Sequence, residues 1–399
     1  MNKLDNLRQE TNAPSLIGIF NDCFPPIMDG VSVAVMNYAH WLHRKTGNVC
    51  VVTTKSPRCQ DSQPYPVYRY SSLPIPMRKP YRIGIPQVDW PFNRRMAQTP
   101  FGLLHAHCPF SSGTLAKRIA QRQNIPLVAT FHSKFRDDFE RIIPNQSMVD
   151  YMIRRIVRFY EMADEVWIPQ PAVEDTLREY GYKGPVEVVD NGSDFRVEES
   201  PEQFRLLARR RLGLRANEFT FLFVGQHIWE KNIAFLLNAL STLRDIPFRM
   251  FFIGTGYAEK EIKQLVEKLG LASRIVFIGS ITDRNRLKSY YAAADLFLFP
   301  SFYDNAPLVI REAAAMQTPS VLLQGSTSAE IVRHGENGFL SADNTHDFAL
   351  LIRNLTDHPE QIRQVGLAAS QSISRSWSDI MDEVLDRYTH IIHRYHQWK

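Results

Sequence analysis

The sequence predicts an α/β protein with two doubly wound parallel sheets, and three observations carry that prediction. Short apolar runs unbroken by polar residues, such as Leu296-Phe-Leu-Phe299, recur along the chain and suit strands buried on both faces. Segments of helical periodicity alternate with them, as a parallel sheet with crossover helices requires. The pattern closes at the turn Asn191-Gly192-Ser193-Asp194 and then starts again. At 399 residues the chain is long enough for two such cores.

In the first half, strands are expected at Leu16–Phe20, Val49–Thr53, Gly102–His105, Leu127–Phe131, Glu165–Ile168 and Val186–Val189. Helices are expected at Val33–Arg44, Thr114–Gln123, Met148–Met162 and Ala172–Tyr180. In the second half, strands fall at Phe219–Val224, Arg249–Ile253, Arg274–Ile278, Leu296–Phe299 and Ser320–Leu323. Helices start at Lys231, after Gly256, at Asp283 and at Leu308, with Pro307 suited to a first turn because its missing N–H costs nothing there. Phe348 to Ile373 reads as helical, and Trp377 to Tyr395 as a last amphipathic helix with no sheet of its own. The expected domains are therefore 1–195, 196–375 and a helix, 376–399, crossing back to the first. Two such sheets leave a cleft at their strand ends, the usual ligand position.

Composition narrows the function classes. The chain is 44% hydrophobic and 22% charged, that of a soluble globular protein, and no apolar run reaches the ~18 residues that span a bilayer. Met1 to Pro14 is polar and mixed in charge, unlike a secretory signal. Cys23, Cys50, Cys59 and Cys108 form no metal spacing and no C-x-x-C pair, which suits a reduced, cytoplasmic compartment. The net charge of +5 is modest, and its excess is local. Arg69, Arg78, Lys79, Arg82, Arg94 and Arg95 face only Asp89, interleaved with Tyr68, Tyr70, Tyr81, Trp90 and Phe92. Such a mixture suits an anionic membrane surface. It equally describes a solvated insertion whose aromatics pack inward.

Three segments can carry chemistry. In Phe299-Pro-Ser-Phe-Tyr-Asp304-Asn-Ala-Pro307-Leu-Val-Ile-Arg-Glu312, a strand runs into a helix whose N-terminus suits a phosphate, with Asp304 at its mouth and Glu312 two turns in. A capping Asp and a surface Glu would leave the same trace. Gly225-Gln226-His227 through Lys231 follows another strand, so backbone and ammonium can approach a diphosphate together. Gly254-Thr-Gly256 lacks the third glycine of a dinucleotide fingerprint and is better explained as a tight turn. In the first half, Gly30 ends a loop before a helix and could admit phosphate oxygens. His105-Ala-His107 has no evident third metal ligand, whereas His132 can hydrogen-bond a sugar hydroxyl or be an ordinary buried histidine.

In order and spacing these segments resemble the family 4 glycosyltransferases of GT-B architecture, over nearly the whole chain. The resemblance rests on Gly30, His105-Ala-His107, Thr130-x-His132, Asp190-Asn-Gly192-Ser-Asp194, Gly225 through Lys231-Asn232, Asp304 to Glu312 as the E-x7-E element, and Glu330 to Phe339. It implies retaining transfer of a sugar from a nucleoside-diphosphate donor, with no cofactor, metal or nucleic acid. Asp304 would contact the donor sugar, Lys231 the leaving diphosphate and His132 the sugar near the scissile bond. Glu312 would hold the ribose. Gly30, Gly225, Gln226, Asn305, Ala306, Leu308 and Val309 would line the donor, with the backbone near Ile278 at its base. Three positions depart from the family pattern: Gln226 stands for the usual Arg, Asp304 for Glu and Pro307 for Gly.

For the acceptor, Tyr70 through Gly84 and Ala106-His-Cys-Pro-Phe-Ser-Ser-Gly look like the corresponding regions of bacterial enzymes that glucosylate diacylglycerol. That implies UDP-glucose as donor and a peripheral position on the inner membrane face, through Arg78, Lys79, Arg82, Arg94 and Arg95. Arg154, Arg155 and Arg158 on one helix fit the same picture. A polysaccharide or lipid-linked oligosaccharide transferase using GDP-mannose or a UDP-N-acetylhexosamine would use the same donor residues. A sugar-nucleotide-binding regulator with weakened catalysis is the alternative that Gln226 and Asp304 raise.

Overall fold

The structure, a computed structural model, describes residues 16–57, 59–75, 80–195 and 200–397. The chain divides into two compact units. One holds the residues up to Asn191 together with those from Trp377 onward, and the other is Gly192–Ser376.

The first unit opens with β1 (Ile17–Phe20), α1 (Gly30–Thr46), β2 (Val49–Thr54), β3 (Val67–Tyr70) and a hairpin of β4 (Ser72–Pro74) and β5 (Arg82–Gly84). It continues with α2 (Trp90–Gln98), β6 (Leu103–Ala106), α3 (Ser111–Gln123), β7 (Leu127–Thr130), α4 (Phe135–Glu140), α5 (Gln146–Tyr160), β8 (Glu165–Ile168), α6 (Val173–Glu179) and β9 (Glu187–Val188). Seven parallel strands form its sheet in the order β3-β2-β1-β6-β7-β8-β9. Strands β1, β2, β6 and β7 are buried along their whole length, which explains their largely apolar sequences, with Thr53, Thr54, His105 and Thr130 as buried polar residues at or near the strand ends.

The second unit contains α7 (Pro201–Arg211), β10 (Phe219–Val224), α8 (Ile233–Ser241), β11 (Phe248–Ile253), α9 (Glu259–Lys268), β12 (Ile275–Gly279), α10 (Arg284–Ala293) and β13 (Leu296–Leu298). It ends with α11 (Leu308–Ala315), β14 (Ser320–Leu323), β15 (Phe339–Ser341), α12 (Thr345–Thr356) and α13 (Pro359–Ser372). Its six parallel strands run β12-β11-β10-β13-β14-β15. Both sheets are doubly wound. Their strand order reverses at β1, between β2 and β6, and at β10, between β11 and β13. The strand ends at such a reversal are where ligands of open α/β sheets bind.

The last helix, α14 (Trp377–Gln397), packs on α1 of the first unit, as the sequence predicts for a helix without a sheet. Trp377 stands edge-on to Tyr38 with ring centroids 5.8 Å apart, and Tyr388 stacks on Trp167 at 5.5 Å. Lys45 pairs with Asp382 at 2.7 Å and Arg387 with Glu187 at 2.9 Å.

Several expected elements differ in detail. The helix predicted from Lys231 is interrupted, because Asn232 adopts a left-handed conformation (φ 57°) between a 3₁₀ turn, Trp229–Lys231, and α8. Pro307 caps α11 with an extended ψ of 129° instead of entering its first turn. The single helix read over Phe348–Ile373 is two, α12 and α13, divided where Pro359 begins the second. Strands β3 and β15 and helices α2, α4 and α7 were not expected from the sequence.

Candidate donor and acceptor sites

In the second unit the site grows from two adjacent strands, β10 and β13, at the reversal of strand order. Gly225 follows β10, and its loop packs backbone-to-backbone on the loop after β11. His227 N–H donates to the Thr255 carbonyl at 3.1 Å. A Cβ on Gly254 would lie 1.9 Å from the Gly225 oxygen, and one on Gly256 2.2 Å from the His227 oxygen. Those two glycines therefore serve loop packing, in keeping with the tight turn read from the sequence.

Lys231 lies in the turn beyond, only 8% exposed. Its ammonium pairs with Asp304 Oδ1 and sits 5.3 Å from the Tyr303 ring centroid and 5.6 Å from that of Phe299. The second oxygen of Asp304 accepts from Ser301 Oγ at 2.6 Å. Asn232 Nδ2 donates to the Pro300 carbonyl at 3.2 Å and so ties the two loops together. A cation this shielded from water acts on a nearby charge far more strongly than a surface lysine would. Helix α11 starts beside this pair without a side-chain cap, and Asn305 and Leu308 are buried at its mouth. Ala306, Val309 and Ile278 are half-buried, and Gln226 is exposed.

Glu312 is no surface residue. It is 5% exposed, and both of its oxygens are held. Arg284 Nη2 donates to Oε1 at 2.7 Å and Tyr291 Oη to Oε2 at 2.9 Å. The same guanidinium reaches back to Asp194 at 2.5 and 3.1 Å and lies 4.2 Å from the Phe195 ring centroid. Burial pulls the pKa of Arg284 down, but Glu312 and Asp194 more than reverse this, leaving it above its ordinary value. Burial, and then Glu312, push Tyr291 well above the ordinary tyrosine range, so its hydroxyl stays a donor. Arg284 and Tyr291 carry no local motif, and their sequence signal is limited to their place on one helical face seven residues apart.

In the first unit the corresponding strand ends carry a histidine cluster. His105 bonds Tyr388 Oη through Nδ1 at 2.5 Å and Thr130 Oγ1 through Nε2 at 2.7 Å. With both ring nitrogens engaged it cannot ligate a metal. His107 Nδ1 lies 2.9 Å from His132 Nε2, the two rings nearly parallel. Burial lowers His132 to about 4 and holds His105 and His107 well below the ordinary histidine range, so all three are neutral near pH 7. Among the described residues no three histidine, cysteine, aspartate or glutamate side chains group as metal ligands.

Gly30 opens α1 with free space where a Cβ would stand. The helix N-terminus is nevertheless occupied by Asp29, whose carboxylate accepts from Ser32 N at 2.8 Å in a capping box. Sequence reasoning missed Asp22, which follows β1. Its carboxylate accepts from Tyr70 Oη, Ser112 N and Ser112 Oγ, each at 3.0 Å, and from Ser111 Oγ, closing the start of α3.

Of the expected membrane-facing residues, Arg78 and Lys79 lie outside the described residues. Arg82 braces the hairpin through Ser72 Oγ (2.7 Å) and its carbonyl (2.9 Å), whereas Arg94 and Arg95 are exposed on α2. Trp90, 79% exposed, begins that helix. Phe92 corrects the surface reading: it is buried beside Tyr70, their ring centroids 5.5 Å apart. Arg69 is spent internally on Asp61 at 2.7 Å. Helix α5 exposes Arg154, Arg155, Arg158, Met148 and Tyr151. No helix among the described residues is long and apolar enough to cross a membrane.

Two family profiles match the chain: Glycosyltransferase Family 4 over residues 28–196 and Glycosyl transferases group 1 over residues 205–371. Together they span most of it, and the chain belongs to the family 4 glycosyltransferases, a retaining family of GT-B architecture. Among curated relatives it is 26% identical over 314 residues to an alpha-monoglucosyldiacylglycerol synthase of Streptococcus pneumoniae, covering 76% of this chain and 70% of that protein. The enzyme of the same name from Acholeplasma laidlawii is 24% identical over 358 residues, covering 86% and 89%. Among solved structures, Anabaena HepE in complex with UDP and glucose superposes with a TM-score of 0.73 at 20% identity, covering 94% of this chain and 99% of that one.

Proposed function

We propose that this glycosyltransferase moves glucose from UDP-glucose to the hydroxyl of a membrane lipid such as diacylglycerol. The observation that carries the donor half is the shielded Lys231–Asp304 pair beside the uncapped start of α11. In this reading the bond from the sugar's C1 to the diphosphate breaks, and the electron pair leaves with the phosphate oxygen. A bond from the acceptor oxygen to C1 forms, and the acceptor's proton is released. Lys231 and the N–H groups at the start of α11 stabilise the charge that grows on the leaving diphosphate. Asp304 contacts the sugar, Glu312 takes the ribose hydroxyls and His132 supplies a hydrogen bond to the sugar. Lys231 is already compensated by Asp304, and Gln226 adds no charge at the position where the family pattern it resembles has Arg. The leaving group is therefore held with less positive charge than the family pattern supplies.

The lipid half is supported by the two relatives named for glucosylation of diacylglycerol lipids and by exposed cations near aromatics on α2 and α5. Each exposed cation contributes on the order of 1 kcal/mol at an anionic surface and is screened by salt. A thermal-shift panel of UDP-glucose, GDP-mannose and UDP-N-acetylglucosamine tests the donor, since the preferred ligand stabilises the fold by mass action. Transfer to diacylglycerol in phosphatidylglycerol vesicles, at low and high salt, tests the acceptor. Stabilisation by GDP-mannose or UDP-N-acetylglucosamine but not by UDP-glucose overturns the donor half, and no transfer to diacylglycerol in the vesicles at either salt concentration overturns the acceptor half.

A further inference from the structure

We propose that Arg284 is the positioning residue of the donor site, fixing the Glu312 carboxylate in the orientation that receives the two ribose hydroxyls. The inference rests on the reading of Glu312 as the ribose acceptor and deepens it.

Glu312 projects from α11 with a carboxylate that could rotate about its last torsion, a broad one without strong rotamer preference. Two side chains of α10 remove that freedom. Arg284, the first residue of the helix, takes Oε1 at 2.7 Å, and Tyr291, two turns on, takes Oε2 at 2.9 Å. Each carboxylate oxygen can accept in two directions, so one direction on each remains open. Two acceptor directions side by side match a vicinal diol, which donates two hydrogen bonds in parallel. Tyr291 alone would hold one oxygen and leave the plane free to tilt.

Arg284 is itself fixed. Asp194 receives two bonds from it, at 2.5 and 3.1 Å, and the guanidinium lies over Phe195. Asp194 is two residues past Gly192, where the second unit begins. The segment that enters this unit is thereby linked, through one guanidinium, to the ribose carboxylate. Lysine cannot reproduce the link, because a point charge cannot serve Asp194 and Glu312 in a fixed fork.

The test compares dissociation constants for UDP and 2′-deoxy-UDP, and for GDP and 2′-deoxy-GDP, by calorimetry on the full chain. Wild type should prefer the ribo form by about tenfold or more, the loss expected when a charged acceptor is left without its partner. Glu312→Ala should abolish that preference. Arg284→Ala and Arg284→Lys should abolish it as well, with kcat at saturating donor changed far less than KM. Asp194→Asn, which loosens Arg284 without touching Glu312, should reduce it partially and serves if Arg284→Ala does not fold. Adding Arg284→Lys to Glu312→Ala should change nothing further. If Arg284 variants keep the wild-type preference while Glu312→Ala loses it, the inference fails and the ribose reading stands. If Glu312→Ala keeps the preference, or if neither diphosphate binds, the ribose reading fails and the inference with it.

Discussion

At the scale of single residues, the chemistry turns on charges withdrawn from water. In the proposed reading the Lys231 ammonium acts on charge that appears on the leaving group, so Lys231→Ala should lower transfer by ~10²-fold or more, mainly in kcat. Circular dichroism should show the fold retained, with a melting temperature lowered because Asp304 loses its shielded partner, and wild-type turnover would remove Lys231 from the site. The histidine cluster makes a separate expectation about acid. His105, His107 and His132 have folded-state pKa values below their ordinary value near 6.5, so the unfolded chain binds protons the folded one refuses. Their stabilising contribution is complete above about pH 6.5 and is lost as pH falls toward the value of about 4 held by His132. Urea midpoints measured at pH 7.5 and 4.5 should drop for wild type, and drop less for His132→Gln. The same scale shows what the sequence withheld. Asp304, Glu312 and Lys231 were legible because each belongs to a local strand–loop–helix motif. Arg284 and Tyr291 were not, because their meeting with Glu312 across 28 and 21 residues is a tertiary fact.

At the scale of elements, the long apolar strands announced themselves and the polar or short ones did not. Strand β3 reads as surface because it contains Arg69, yet Asp61 and the Thr54 and Pro25 carbonyls neutralise that guanidinium at the sheet edge. Helix α7 has an arginine-rich sequence without an apolar stripe. It is held by Arg205 and Arg209, which reach Asp295 at 2.5 and 3.2 Å and the carbonyls before it. Helix α14 was legible as amphipathic, but its role as a polar partner of His105 was not. Tyr388→Phe leaves a buried ring nitrogen without its partner and should cost about 1–3 kcal/mol. Tyr388→Leu, which also removes the ring stacked on Trp167, should cost more. Denaturant midpoints for the two variants check the order, and a Phe variant as stable as wild type would make that hydrogen bond irrelevant to folding.

At the scale of the whole molecule, one unit is continuous in sequence and the other is not. Gly192–Ser376 carries its entire sheet and the Lys231, Asp304 and Glu312 side chains, whereas the first unit borrows its final helix from the far end of the chain. Truncation after Ser376 should therefore abolish transfer while leaving UDP-induced stabilisation. Limited proteolysis should digest residues before Asn191 first and leave a resistant fragment matching the second unit. Equal digestion of both halves would contradict this division of labour.

The return of α14 also sets an order of events on the ribosome. Domains fold as units while the chain is made, ordinarily the earlier one first. Here the earlier unit lacks Trp377 and Tyr388 until the whole of the later unit has been synthesised, and until then Tyr38, His105 and Trp167 await their covering helix. The later unit has all its residues by Ser376. A chain ending at Ser376 and released from the ribosome should show native-like proteolytic protection in the later unit and little in the earlier one, so the unit begun first is completed after the other.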